Sequence, residues 1–130
     1  MFLGHGEQFL LDYGVVLSHG DTYKQEPGRL KCCSRSLVFE PSEPALPLVK
    51  LCFRNVEGAI GLAQNKIVVE CGVVVEMMSN ARVAPHKTRP VEGSRRFEFE
   101  PLHTSAEALR EKAEALRLVS EAARTEGSVG

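Results

Sequence analysis

From Ser105 to Arg124 the sequence is written almost entirely in Ala, Leu, Glu, Arg and Lys, the strongest helix formers, and no stretch before it reads that way. Leu109, Ala113, Leu116, Val119 and Ala123 recur at helical spacing, while Arg110, Glu111, Glu114, Arg117 and Glu121 fill the other faces. The spacing predicts a helix over residues 105–124 with one face to bury. Thr104 followed by Glu107 has the form of a capping box, and Gly127 supplies a stop. A lone helix has no second helix to pack on, so its apolar stripe requires a sheet as partner.

The upstream residues provide one. Phe9, Leu10, Leu11, Tyr13, Val15, Val16 and Leu17 make a β-rich run over Gln8–Ser18 that ends at the turn formers His19, Gly20 and Asp21. A polar loop closing at Pro27 and Gly28 leads into Arg29–Cys33, which forms a tight hairpin with Leu37–Glu40 about Ser34-Arg35-Ser36. Pro41, Pro44 and Pro47 interrupt pairing, because proline lacks the amide donor a ladder needs. In Leu48–Phe53, Val49, Leu51 and Phe53 share one face and Lys50 and Arg54 flank the other, the pattern of a sheet with one packed and one wet side; Val56–Ile60 continues it. Gln64-Asn65-Lys66 turns the chain into Ile67–Met77, whose β-branched density disfavours a helix and which bends at Gly72. Arg82–Gly93 is a proline-punctuated connector, and Arg95–Glu100 is the last strand, with Phe97 and Phe99 inward. The expected fold is mainly β with one C-terminal α-helix: about seven antiparallel strands in a split barrel of the pleckstrin-homology (PH) type, capped by the helix. Residues 1–130 form a single domain, ordered over about 7–125.

A chain of 130 residues, 43% hydrophobic and 25% charged, can bury roughly two-thirds of its unfolded surface without a disulfide or metal. Its formal charge of -1 removes any whole-molecule attraction to nucleic acid. Glu7 and Asp12 interrupt the N-terminal apolar clusters, so no signal peptide is expected, and no apolar run spans a bilayer. A cytoplasmic protein, peripheral to membranes at most, fits best. Cys32, Cys33, Cys52 and Cys71 lack Cys-x-x-Cys spacing and lie in predicted strands, where the adjacent Cys32 and Cys33 point to opposite faces. His5, His19, His86 and His103 fall in separate loops or termini, without metal-ligand spacing, and read as surface residues. No nucleophile–base set is apparent, so neither enzyme activity, a cofactor nor a metal is expected.

Phosphoinositide-binding PH domains hold phosphates with basic residues of the first hairpin. Lys24, Arg29, Lys31 and Arg35 approximate that arrangement, with Arg29 and Lys31 sharing one strand face, although Glu26 intrudes. A second basic group, Arg82, His86, Lys87, Arg89, Arg95 and Arg96, includes only Glu92 as an acid, and would attach weakly to an anionic leaflet. The competing use of such a fold is protein recognition through a strand edge or the outer face of the helix.

The run Gly28–Pro41, with its basic-x-Ser turn before an aliphatic strand ending in Phe39-Glu40-Pro41, followed by Leu48–Leu51, Val83–Lys87 and Phe97-Glu98-Phe99, resembles the N-terminal PH-like (GRAM-type) region of the FAN (factor associated with neutral sphingomyelinase activation) family of BEACH-domain proteins. With the terminal helix, these segments cover most of the chain. The resemblance implies a non-catalytic scaffold near membranes, engaging a protein partner or other domains of a larger BEACH-type chain. It does not carry over functions of the BEACH domain, the WD40 propeller or the PH-like module that abuts the BEACH domain.

Overall fold

The computed structural model describes residues 9–20, 23–77, 87–91 and 94–129. Alternating apolar residues lay down β1 (Phe9–His19), β2 (Tyr23–Cys33), β3 (Ser36–Pro41) and β4 (Leu48–Cys52), followed by a 3-10 turn at Phe53–Asn55. Then come β5 (Val56–Ala63), β6 (Lys66–Cys71), β7 (Val73–Met77), β8 (Lys87–Pro90), β9 (Arg96–Pro101) and the helix α1 (Ala106–Val129). The strands pair antiparallel in one sheet, in the order β5-β6-β9-β1-β2-β3-β4-β7-β8. β6 and β7 lie next to opposite ends of that sheet, yet only Gly72 separates them along the chain. The sheet must therefore curl until its ends approach. Backbone bonds continue the neighbouring ladders up to this crossing: Gly72 N–H donates to the Asn55 carbonyl (3.4 Å), Val91 N–H to Gly72 (2.9 Å) and Cys71 N–H to Arg95 (2.9 Å).

The concave face is apolar. Val15, Leu17, Leu30, Phe39, Val49, Leu51, Ile67, Val69, Phe97 and Phe99 fill it, and α1 closes it with Leu109, Ala113 and Leu116. Leu116 is fully buried, a contribution of about 1.5–3 kcal/mol from that side chain alone. The helix rests on β5 and the 3-10 turn, whose Phe53 is also fully buried. Its buried stripe includes Ser120, which the apolar pattern passed over, whereas Val119 and Ala123 are only half-buried.

Several sequence expectations need correction. The described residues form nine strands rather than about seven, because the β7–β8 hairpin is inserted between β6 and β9 and extends the β4 end of the sheet. Lys87–Pro90 is thus a strand within the predicted connector. The predicted loop up to Gly28 is instead the first half of β2: Pro27 and Gly28 pair with Val16 and Val15. Val56–Ile60 does not prolong β4, because the 3-10 turn redirects it to the opposite end of the sheet. Nor is the convex face simply wet, since Cys33, Val38, Leu48 and Met77 form a second buried cluster there. The N-cap is Ser105, whose Oγ accepts the Ala108 N–H (3.2 Å), while Thr104 Oγ1 donates to the Leu102 carbonyl and accepts from Lys112. The helix runs through Gly127 to Val129, since one glycine costs only about 1 kcal/mol in a helix.

Two predictions follow from this packing. A Cβ on Gly28 would lie 2.7 Å from the Phe39 ring and collide with the Glu40 carbonyl, a rigid strand atom. Gly28→Ala should therefore lower unfolding free energy by about 1–3 kcal/mol in urea titrations; an unchanged midpoint would contradict this contact. Burial pushes the Cys32 thiol up to about 12, with Cys33 adding to the effect, and also raises Cys71. Alkylation at neutral pH should accordingly spare both in the native protein and reach them only after denaturation, with half-buried Cys52 the first to react.

Candidate functional site

The four predicted cations of the first hairpin do not converge. Lys24 begins β2, and at about 3.3 Å per residue Arg29 and Lys31 lie about 16 and 23 Å further along it. Arg35 sits in the β2–β3 turn at the far end, exposed. Arg29 and Lys31 do share one strand face, as expected, but each meets an acid from a neighbouring strand. Arg29 Nε donates to Asp12 Oδ1 (2.8 Å) on β1, and Lys31 Nζ contacts Glu40 Oε2 (2.8 Å) on β3. The register places Asp12 opposite Lys31 and Glu40 opposite Arg29, so charges alternate in sign across three strands. Exposed pairs of this kind add at most about 1 kcal/mol each to stability; their larger effect is to cancel the local positive field.

The second group is similarly divided. Arg82 and His86 lie outside the described residues. Lys87 and Arg89 stand on β8, in register with Glu76 and Val74. Arg95 pairs with Glu57, and Arg96 Nε donates to Glu98 Oε2 (3.0 Å).

One member of each group meets at a cleft of about 510 Å³ between the β1–β2 turn and the start of β9. Ser18, His19, Lys24, Gln25, Ser94 and Arg96 line it. Gln25 adopts a left-handed φ of 57°, a conformation uncommon without glycine. His19 was expected at the surface but is 9% exposed and stacked on Phe97, with ring centroids 3.9 Å apart. It continues the inward phase of Val15 and Leu17, a signal that alternation carries once β1 is extended by one residue. Its Nε2 lies 2.7 Å from the Ser94 carbonyl, which can only accept, so that nitrogen bears the proton. Nδ1 is buried and has no hydrogen-bond partner among the described residues. The cleft is polar and open; it brings Lys24 and Arg96 together beside two hydroxyls, but Glu98, which pairs with Arg96, also lines it. No His, Cys, Asp and Glu cluster among the described residues has the arrangement of a metal site.

The outer face of α1 is the other candidate surface. Arg117 donates to both carboxylate oxygens of Glu121 (2.9 and 3.0 Å) and to Glu114, whose carboxyl is held below its ordinary range by that hydrogen bond. Beside this network Leu118 is 54% exposed. No helix among the described residues is long and apolar enough to cross a membrane.

The architecture is similar to that of the Vps36 N-terminal PH domain, with a TM-score of 0.53 at 13% identity over 95% of this chain and 86% of that one. No curated protein matches the sequence. The model of the FAN protein N-terminal PH domain matches residues 1–127. A curled antiparallel sheet plugged by a terminal helix and a family match along nearly the whole sequence lead to one assignment: this chain belongs to the FAN N-terminal PH-domain family.

Proposed function

We propose that this domain is a non-catalytic recognition module of a larger, BEACH-type chain, which works in the cytoplasm by holding a protein partner or another domain of the same chain near a membrane. The observation that carries this reading is the cancellation of the basic hairpin: Arg29 and Lys31 are committed to Asp12 and Glu40, and Arg95 and Arg96 to Glu57 and Glu98. A surface compensated in this way has little pull on an anionic leaflet, because the attraction depends on uncompensated positive charge.

A second reading, phosphoinositide or anionic-membrane binding, rests on the cleft that brings Lys24 and Arg96 together beside Ser94. At about 1 kcal/mol per cation near an anionic surface these two would supply at most about 2 kcal/mol, and less while Glu98 holds Arg96, a weak and salt-sensitive attachment.

Sedimentation with vesicles of phosphatidylcholine, phosphatidylserine and a phosphoinositide separates the two. The domain is expected to stay in the supernatant at physiological salt. Any low-salt binding should disappear in Lys24→Gln/Arg96→Gln and change little in Arg29→Gln/Lys31→Gln. Binding that persists at high salt and selects one headgroup would overturn the preference for protein recognition.

A further inference from the structure

A sheet that is not fully closed has edges, and each presents backbone donors and acceptors able to pair with another chain. Two of those edges are blunted here. At β5, Gly58 lies in a bulge with φ of 71°, and Arg124 from α1 caps its carbonyl (2.6 Å). At β8, the Val91 N–H turned toward Gly72 sets the alternation, so the backbone of Thr88 and Pro90 faces outward, and Pro90 has no N–H to offer.

Between the register shift at Phe9/Leu11 and Gly14, β1 is different. β9 pairs with β1 only from Ser18 back to Val15, after which the Gly14 carbonyl accepts one last bond from Leu102 N–H (2.9 Å). His103, with a left-handed φ of 52°, then turns the chain away into α1. By the same alternation, the N–H and C=O of Asp12 point along the line β9 has left, while β2 pairs with β1 on the other side. Among the described residues neither group has a backbone partner on that line. Two large apolar side chains flank this opening: Leu10 is 43% exposed, and Leu102, which lies beside Gly14, is 44% exposed.

We infer that the Leu11–Gly14 edge of β1 receives an extended segment of a partner protein as an added strand, continuing the line of β9. This rests on the protein-recognition reading above and specifies its surface. Main-chain bonds to Asp12 hold the segment, apolar residues cover Leu10 and Leu102, and a neutral residue faces the Asp12–Arg29 ion pair. A second copy of this chain would instead pair about a two-fold axis at this edge and shift the same amides with protein concentration alone, a result that would overturn the assignment.

The test is an amide NMR titration of the domain with a capped synthetic peptide of alternating valine and threonine flanked by lysines, beside its N-methylated analogue. Saturable shifts centred on the Asp12 and Gly14 amides are expected, with affinity lower by about tenfold for the N-methylated peptide. Leu10→Lys should also abolish them without changing the melting transition, since that side chain is exposed. Asp12→Pro serves as an independent block, because it removes the outward-facing donor; Asp12→Asn, which keeps that donor and drops only the ion pair with Arg29, is the control expected to bind normally. Equal binding of the methylated peptide, shifts confined to α1, or no response at millimolar peptide would overturn the edge assignment and leave protein recognition elsewhere standing. Strong perturbation by the phosphoinositide vesicles, with none by peptide, would defeat both.

Discussion

The seating of α1 in the mouth of the curled sheet is the interaction on which the rest depends. The ends of the sheet approach at Gly72, but β5 and β8 do not pair with one another, so the shell has an opening that hydrogen bonds alone do not close. Leu109, Ala113 and Leu116 fill that opening beside Phe53 and the β5 strand. The trade is reciprocal: the helix has no other surface on which to hide its stripe, and the apolar interior would otherwise meet water. At about 1.5–3 kcal/mol per fully buried large side chain, a few such contacts are comparable to the whole stability of an ordinary domain.

The outside of the shell follows a different logic. Cations of the basic groups are met by acids from a neighbouring strand, as Arg29 by Asp12, from two residues along the same strand, as Arg96 by Glu98, or from further across the sheet, as Arg95 by Glu57. The near-zero net charge is thus also local balance. What this leaves for recognition is shape and main-chain hydrogen bonding, with the Lys24–Arg96 cleft as the place where two cations share one concavity.

Elements whose local pattern and tertiary role agree were legible in the sequence. Phe97 and Phe99 alternate with charged residues and point inward; Gln64 and Asn65 form the tight turn between β5 and β6, both left-handed; the Ala- and Leu-rich tail is the helix. The misses share a cause, which is that tertiary placement decided what local chemistry left open. Gly72 looked like a bend in one long strand, but the chain there passes between opposite ends of the sheet. Gly28 looked like a loop residue, yet its missing side chain is what admits the Phe39 ring. Pro90 disguised a strand because proline is tolerated on an edge. The basic hairpin was visible as a motif, but its neutralisation required the register that sets Asp12 and Glu40 beside it. His19 was judged by residue type rather than by the phase of its strand, and it is buried; Ser120, absent from the apolar stripe, is buried by the phase of its helix.

Native-state hydrogen exchange across a denaturant series tests the coupling of helix and shell most directly. If α1 completes the core, the amides of Ala113, Leu116 and Ser120 exchange with the same free energy and denaturant dependence as those of Leu17, Leu30 and Phe99 in the strands. Exchange of the helix through a separate opening of much lower free energy, with the strands still fully protected, would mean that the shell stands without its plug.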